Sequence, residues 1–217
     1  MSKTFHSLLS AGALIGLSSV STSADELLTY TFDSLDGTPS FQAPGVSGSV
    51  FDRDQDHFIA YSTTVGAPQP AAVGNAWDTT SVDTSRYFTF TLNAGAPLTL
   101  NNVSLDLEVT PEIGGDGGPT HFSVRSSLDG FGTDEVAGTL SSSFATESFS
   151  PNVALSSGQS IEFRVYAWGT ANSGAILAAD NVHVTGIAPV PEPSTAVSVG
   201  LGLALLAGMR RFERRSA

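Results

Sequence analysis

The feature that most constrains this chain is a period-two alternation of apolar and polar residues that recurs through its middle. Val103, Leu105, Leu107 and Val109 alternate with Ser104, Asp106, Glu108 and Thr110. That is the pattern of a strand with one face buried and the other wet. Phe88, Phe90 and Leu92 oppose Tyr87, Thr89 and Thr91, and Tyr30 and Phe32 oppose Thr29, Thr31 and Asp33. Phe122 with Val124, Ile161 with Phe163 and Val165, and Val182 with Val184 repeat the spacing. Turn chemistry falls between these runs at Asp36-Gly37, Asn93-Ala94-Gly95, Gly114 to Pro119, Asp129-Gly130 and Ser157-Gly158. No internal segment holds a helical period with caps. The expectation is an all-β body over residues 25–187, a two-sheet antiparallel sandwich of jelly-roll type. Residues 62–85 lack alternation and contain Gly66, Pro68, Pro70 and Gly74, so they read as a long surface loop.

Charge narrows the partners. Between Asp25 and Val190 there are four bases, Arg53, Arg86, Arg125 and Arg164, against nineteen acids, a net of −15. Such a surface repels phosphate backbones, so no nucleic acid is expected as a partner. It suits a cation-rich medium or a divalent ion. The chain has no cysteine, so stability must come from packing or a metal and not from disulfides.

The two ends read differently from the body. Residues 1–24 have a short polar start with Lys3 and His6, an apolar stretch from Leu8 to Val20, and Thr22-Ser23-Ala24 before Asp25. This is the plan of a secretory signal peptide, with signal peptidase expected to cut between Ala24 and Asp25. Residues 188–217 contain Pro191-Glu192-Pro193, an apolar run from Ala196 to Met209, and then Arg210, Arg211, Arg214 and Arg215. The run predicts a single, short C-terminal transmembrane helix at about 195–209. The arginines predict a cytoplasmic C-terminus, with the body on the far side of the membrane.

A Pro-Glu-Pro tripeptide, a short apolar helix and a terminal arginine cluster, in that order over residues 190–215, resemble the PEP-CTERM sorting signal of biofilm-forming, exopolysaccharide-producing Gram-negative bacteria. The resemblance implies an exosortase that recognises Pro191, Glu192 and Pro193 and removes the tail. It also implies a destination in the cell envelope, on the outer surface or in the extracellular matrix. Phrases of the body are similar to the exported domains of such proteins and to carbohydrate-binding-module jelly rolls. They are Tyr87-Phe88-Thr89-Phe90, Val124 to Phe131, Glu162 to Tyr166 and Asp180-Asn181-Val182. Binding modules of this kind often hold a structural calcium between their first and last strands. The resemblance therefore implies Asp33 and Asp180 as calcium ligands, the alternative being that both acids cap turns.

Signatures of catalysis are missing from the sequence: it has no Gly-x-Ser-x-Gly elbow, no His-Glu-x-x-His and no phosphate-cradling glycine loop. His57, His121 and His183 lack ligand spacing and read as surface or sheet residues. Asp52-Arg53-Asp54-Gln55-Asp56 opens like a calcium loop, but His57 stands where the turn glycine belongs and Thr63 where the bidentate Glu belongs. It reads instead as a solvated acidic strand end or loop. Arg164, Tyr166 and Trp168 share one strand face, opposite Phe163, Val165 and Ala167. Rings beside a donor suit a sugar; the alternative is packing beneath the 62–85 loop. The sequence thus predicts an exported, non-enzymatic envelope or matrix protein associated with exopolysaccharide or biofilm, with no cofactor beyond the calcium. A dedicated carbohydrate-binding module is the second reading and a glycan-active enzyme the third.

Overall fold

A computed structural model describes residues 24–188 except 55, 58, 63–69, 111–117 and 173. The predicted leader up to residue 23, the Pro191-Glu192-Pro193 motif, the transmembrane run and the arginine cluster lie outside the described residues. Among the described residues no helix is long and apolar enough to cross a membrane.

The alternating segments form strands as their patterns require. The larger sheet has eight: β1 (Asp25–Tyr30), β2 (Phe41–Gln42), β5 (Ile59–Ser62), β6 (Ala71–Gly74), β8 (Leu98–Thr110), β11 (Ala145–Phe149), β12 (Val153–Leu155) and β14 (Ile176–Ile187). Its main path runs β11-β8-β14-β1-β2, with β12 also on β8 and β6 joining β5 to β14. The smaller sheet has six: β3 (Val46–Gly48), β4 (Asp52–Arg53), β7 (Phe88–Ala94), β9 (His121–Ser126), β10 (Val136–Thr139) and β13 (Ser160–Trp168). Its path runs β10-β9-β13-β7-β3, with β4 also on β7. All of these pairings are antiparallel. From β7 onward the chain changes sheet at each connection except between β9 and β10 and between β11 and β12. That repeated crossing gives the sandwich its jelly-roll character.

The core lies between the inner faces. Phe88, Phe90, Leu92, Phe122, Val124, Ile161, Phe163 and Val165 of the smaller sheet meet Leu28, Tyr30, Val103, Leu105, Leu107, Leu177, Val182 and Val184 of the larger. Tyr30, Phe32, Phe51 and Phe90 pack ring against ring at centroid distances of 5.1–6.2 Å. The Tyr30 hydroxyl donates to the Ser49 carbonyl at 2.7 Å, so this buried phenol keeps a partner.

Two readings of the sequence are corrected here. Residues 62–85 are not one surface loop, because β6 lies within them and all four of its residues are buried. Ala72 joins the main core, while Ala71 and Val73 join a second cluster with Ile176 and Ala178 on the outer side of the larger sheet. A strand buried on both faces has no polar alternation to betray it. Trp77, just beyond, is fully buried and donates Nε1–H to the Gly74 carbonyl at 2.7 Å.

The acidic segment 52–56 is likewise not simply solvated. Arg53 and Asp54 are buried. Asp54 accepts from Arg53 Nε at 3.4 Å and from the Tyr87 amide at 3.2 Å, and it is also bonded to His57 Nδ1. It acts as a polar staple between β4 and the start of β7. The Arg53 guanidinium lies 4.1 Å from the Trp77 ring centroid, and burial lowers its pKa to about 10.

Candidate functional site

The outer face of the smaller sheet gathers polar and aromatic side chains around its central strand. On β13, Glu162, Arg164, Tyr166 and Trp168 point outward because Ile161, Phe163, Val165 and Ala167 fill the core side. Antiparallel register places Thr91 beside Glu162, Thr89 and Arg125 beside Arg164, Ser123 beside Tyr166, and His121 beside Trp168. The three residues singled out from the sequence therefore share a face, but in different states. Trp168 is half-buried, with its ring stacked on His121 at 5.7 Å and 16° between planes. Tyr166 is only 1% exposed, packed edge-on against Tyr87 at 5.8 Å. It supports the face and offers no open ring. The 62–85 segment does reach this strand's end, where Gly169 donates its amide to the Thr79 carbonyl at 2.7 Å.

Arg164 is held on three sides. Its guanidinium carbon lies 3.8 Å from the Phe131 ring centroid and 4.2 Å from that of Tyr87, and Nε donates to Glu162 Oε1 at 2.7 Å. Burial works against its charge, but the bonds to Glu162 and Tyr166 outweigh it and hold its pKa above the ordinary range. Arg125 lies 5.3 Å from the Tyr166 centroid. It donates Nε–H to Asp134 Oδ1 at 2.7 Å and Nη1–H to the Phe131 carbonyl at 3.3 Å. A guanidinium carries five N–H groups, so each arginine retains donors beyond these bonds. Their side chains remain 23% and 17% exposed, respectively.

A short loop sets Phe131 in place. After β9 the chain makes a 3-10 turn, Ser127–Asp129, capped by Gly130 at φ 72°. The Asp129 carboxylate then accepts from the Gly132 amide at 3.0 Å and the Thr133 amide at 2.9 Å, and from the Thr133 hydroxyl. The Thr133 bond, with these amides, lowers the Asp129 pKa. Phe131 sits inside the loop at φ 63° and donates its amide to the Ser126 carbonyl at 2.9 Å. Arg125, Phe131, Tyr87 and His121 are members of this face that strand alternation alone did not single out. The phrases Tyr87-Phe88-Thr89-Phe90 and Val124 to Phe131 were the available signal, but only strand register shows that they meet β13.

The other sequence-derived site lies at the seam between β1 and β14, which pair directly and set Tyr30 opposite Val182. β14 changes phase there: Leu177 and Ala179 face the core before the irregularity, Val182 and Val184 after it. Asn181 takes up the extra residue at φ 47°, a conformation that asparagine tolerates better than most. Asp180 is 2% exposed. The Asn181 amide donates to Asp180 Oδ1 at 2.7 Å, and Asn181 Nδ2 bridges Asp106 Oδ2 at 3.0 Å and Asp180 Oδ2 at 3.3 Å. Burial raises the Asp180 pKa to about 6; the Asn181 amide opposes this, and the charges of Asp106 and Asp33 add to it. Asp33 is exposed, three residues past Tyr30. Among the described residues no three His, Asp or Glu side chains are grouped as ligands for a metal. Asp33 and Asp180 are therefore not a complete ligand set by themselves, and a cation held by them would need further oxygens from backbone or water.

The histidines stay apart. His57 bonds Asp54, His121 stacks on Trp168, and His183 Nδ1 lies 3.2 Å from Glu26 Oε1.

No family model matches this chain, and no curated protein does. Solved structures that it resembles include several carbohydrate-binding modules. TmCBM61, solved in complex with β-1,4-galactotriose, is 14% identical with a TM-score of 0.41, over 71% of this chain and 92% of that one. The tandem CBM22-1–CBM22-2 domain of Paenibacillus barcinonensis Xyn10C is 11% identical with a TM-score of 0.47, over 81% of this chain and 50% of that one. A CBM4 structure is 13% identical with a TM-score of 0.44, over 72% and 97%. Likenesses of this size leave the ligand open.

Proposed function

We propose that this protein is an exported saccharide-binding module whose ligand face is the outer surface of the smaller sheet. One observation carries the proposal. Two of the four arginines in a stretch of net charge −15 stand side by side on that face, among Tyr87, Phe131, Tyr166 and Trp168. A sugar needs directed donors for its oxygens and a ring for its apolar C–H face. Here Arg164 and Arg125 supply the donors and Trp168 the ring, while Tyr166 and Glu162 hold the arginines in place. The reading favours the strict carbohydrate-binding alternative over a general envelope role, and it assigns no catalytic residue. On a glycan array the full chain should bind a defined set of saccharides, and Trp168→Ala should weaken that binding at least tenfold while its melting curve still shows a cooperatively folded protein. An array left blank by the folded protein would overturn the proposal.

The remaining parts of the reading concern delivery and stiffening. The leader and the PEP-CTERM-like tail send the module through the inner membrane to the envelope or matrix, where exopolysaccharide is the natural saccharide. Glu192→Ala should then accumulate as unprocessed protein in the inner membrane. Normal processing of that variant would reduce the tail to a plain anchor. A calcium ion on Asp33 and Asp180 would offset the carboxylate repulsion at the β1–β14 seam and tie the first strand to the last.

A further inference from the structure

We infer that the outer face of the smaller sheet takes an acidic saccharide, one bearing a carboxylate such as a uronic acid, and that Arg164 and Arg125 read that carboxylate. The inference rests on the saccharide-binding reading and narrows its ligand class.

The disposition of the four arginines carries it. Arg53 is buried against Trp77, and Arg86 is occupied by Asp78, Asp83 and the Ala76 carbonyl. The other two lie directly across from each other in the β13–β9 register and keep exposed surface. Everywhere else this acidic body would repel a polyanion.

The state of the rings points the same way. A neutral sugar is held mainly by open ring faces, yet Phe131 and Tyr87 each give a face to Arg164, and Tyr166 is buried. Trp168 alone of the aromatics discussed remains as a platform. With the Arg164 guanidinium against the Phe131 and Tyr87 rings, Nε on Glu162 and one further bond to Tyr166, the donors left for a ligand lie on its Nη groups. A planar edge held in a fixed direction suits a carboxylate, which accepts two parallel N–H bonds. Glu162 and Asp134 balance the two positive charges, so recognition is short-range and geometric, without long-range attraction. Added salt should therefore leave affinity unchanged or raise it, by screening the acidic surface. Non-specific ion exchange would weaken instead.

The test pairs uronate-bearing glycans (polygalacturonate, polymannuronate and polyglucuronate) with their carboxyl-reduced, neutral counterparts. Binding to the full chain is measured in chelator, so that calcium cannot bridge two polyanions. The expected result is binding to at least one uronate polymer, with its reduced form at least tenfold weaker. Arg164→Gln should lose at least tenfold, and Arg164→Lys, which keeps the charge but not the planar edge, nearly as much. Arg125→Gln serves as the second variant should Arg164→Gln fail to fold, and melting curves identify that case. Equal binding of the acidic and neutral members of a pair, or binding of neutral glycans only, would overturn the acidic class and leave the saccharide reading standing. Failure to bind any saccharide would overturn both.

Discussion

At the scale of single residues, the least comfortable carboxylate among the described residues is Asp180. It is nearly sealed from water, and its pKa is raised to about 6 by burial first, with Asp106 and Asp33 adding to the effect. A carboxyl whose folded-state pKa lies above the ordinary 3.8 stabilises the fold while protonated. That contribution is lost as pH rises through about 6. In chelator, then, the stability of the wild type should fall relative to Asp180→Asn between pH 4 and 6. The difference should level off on the order of 3 kcal/mol above that window. Comparing the two proteins cancels the groups they share. Millimolar calcium should reverse the ranking at pH 7, raising the wild-type melting temperature and leaving the variant nearly unmoved. If magnesium or sodium chloride does as much for both, general screening is at work and there is no calcium site.

Strands and loops are the next scale, and here β13 and the turn after β9 do most to build the face. β13 is flanked by β7 and β9, so its outward residues are bordered on both sides and their directions are fixed by the ladder. The 127–133 turn contributes Phe131, placed by the bonds that Asp129 accepts from residues 132 and 133. Asp129→Ala should release that ring from Arg164. The expected effects are a lower melting temperature and weaker saccharide binding through greater mobility of the Arg164 side chain. Melting curves and binding isotherms on the same variant check both. Much of this level was legible in the sequence, since alternation marks β7, β8, β9, β13 and β14 wherever one face is wet. It failed at β6, where both faces are buried, and at Asp54, whose partner Tyr87 lies 33 residues away. The Arg164–Tyr166–Trp168 face was legible along its strand. Its cross-strand members were not, because register depends on contacts between segments distant in sequence.

For the whole molecule, the two outer surfaces differ in chemistry. The outer side of the larger sheet holds a buried apolar cluster, Ala71, Val73, Ile176 and Ala178, with Glu108 across from Ala178, itself buried and its pKa raised by that burial. The smaller sheet shows the paired arginines and the rings. The first and last strands are neighbours in the larger sheet, so the described chain enters and leaves the body at the sheet that does not carry the proposed ligand face. A saccharide should therefore dock on one side only. The measurement that tests this most directly is amide hydrogen exchange of the full chain with and without the saccharide that binds best on the array. The account predicts added protection in 121–126, 127–134 and 160–168, with the larger sheet unchanged. Protection confined to the larger sheet, or none at saturating ligand, would contradict it.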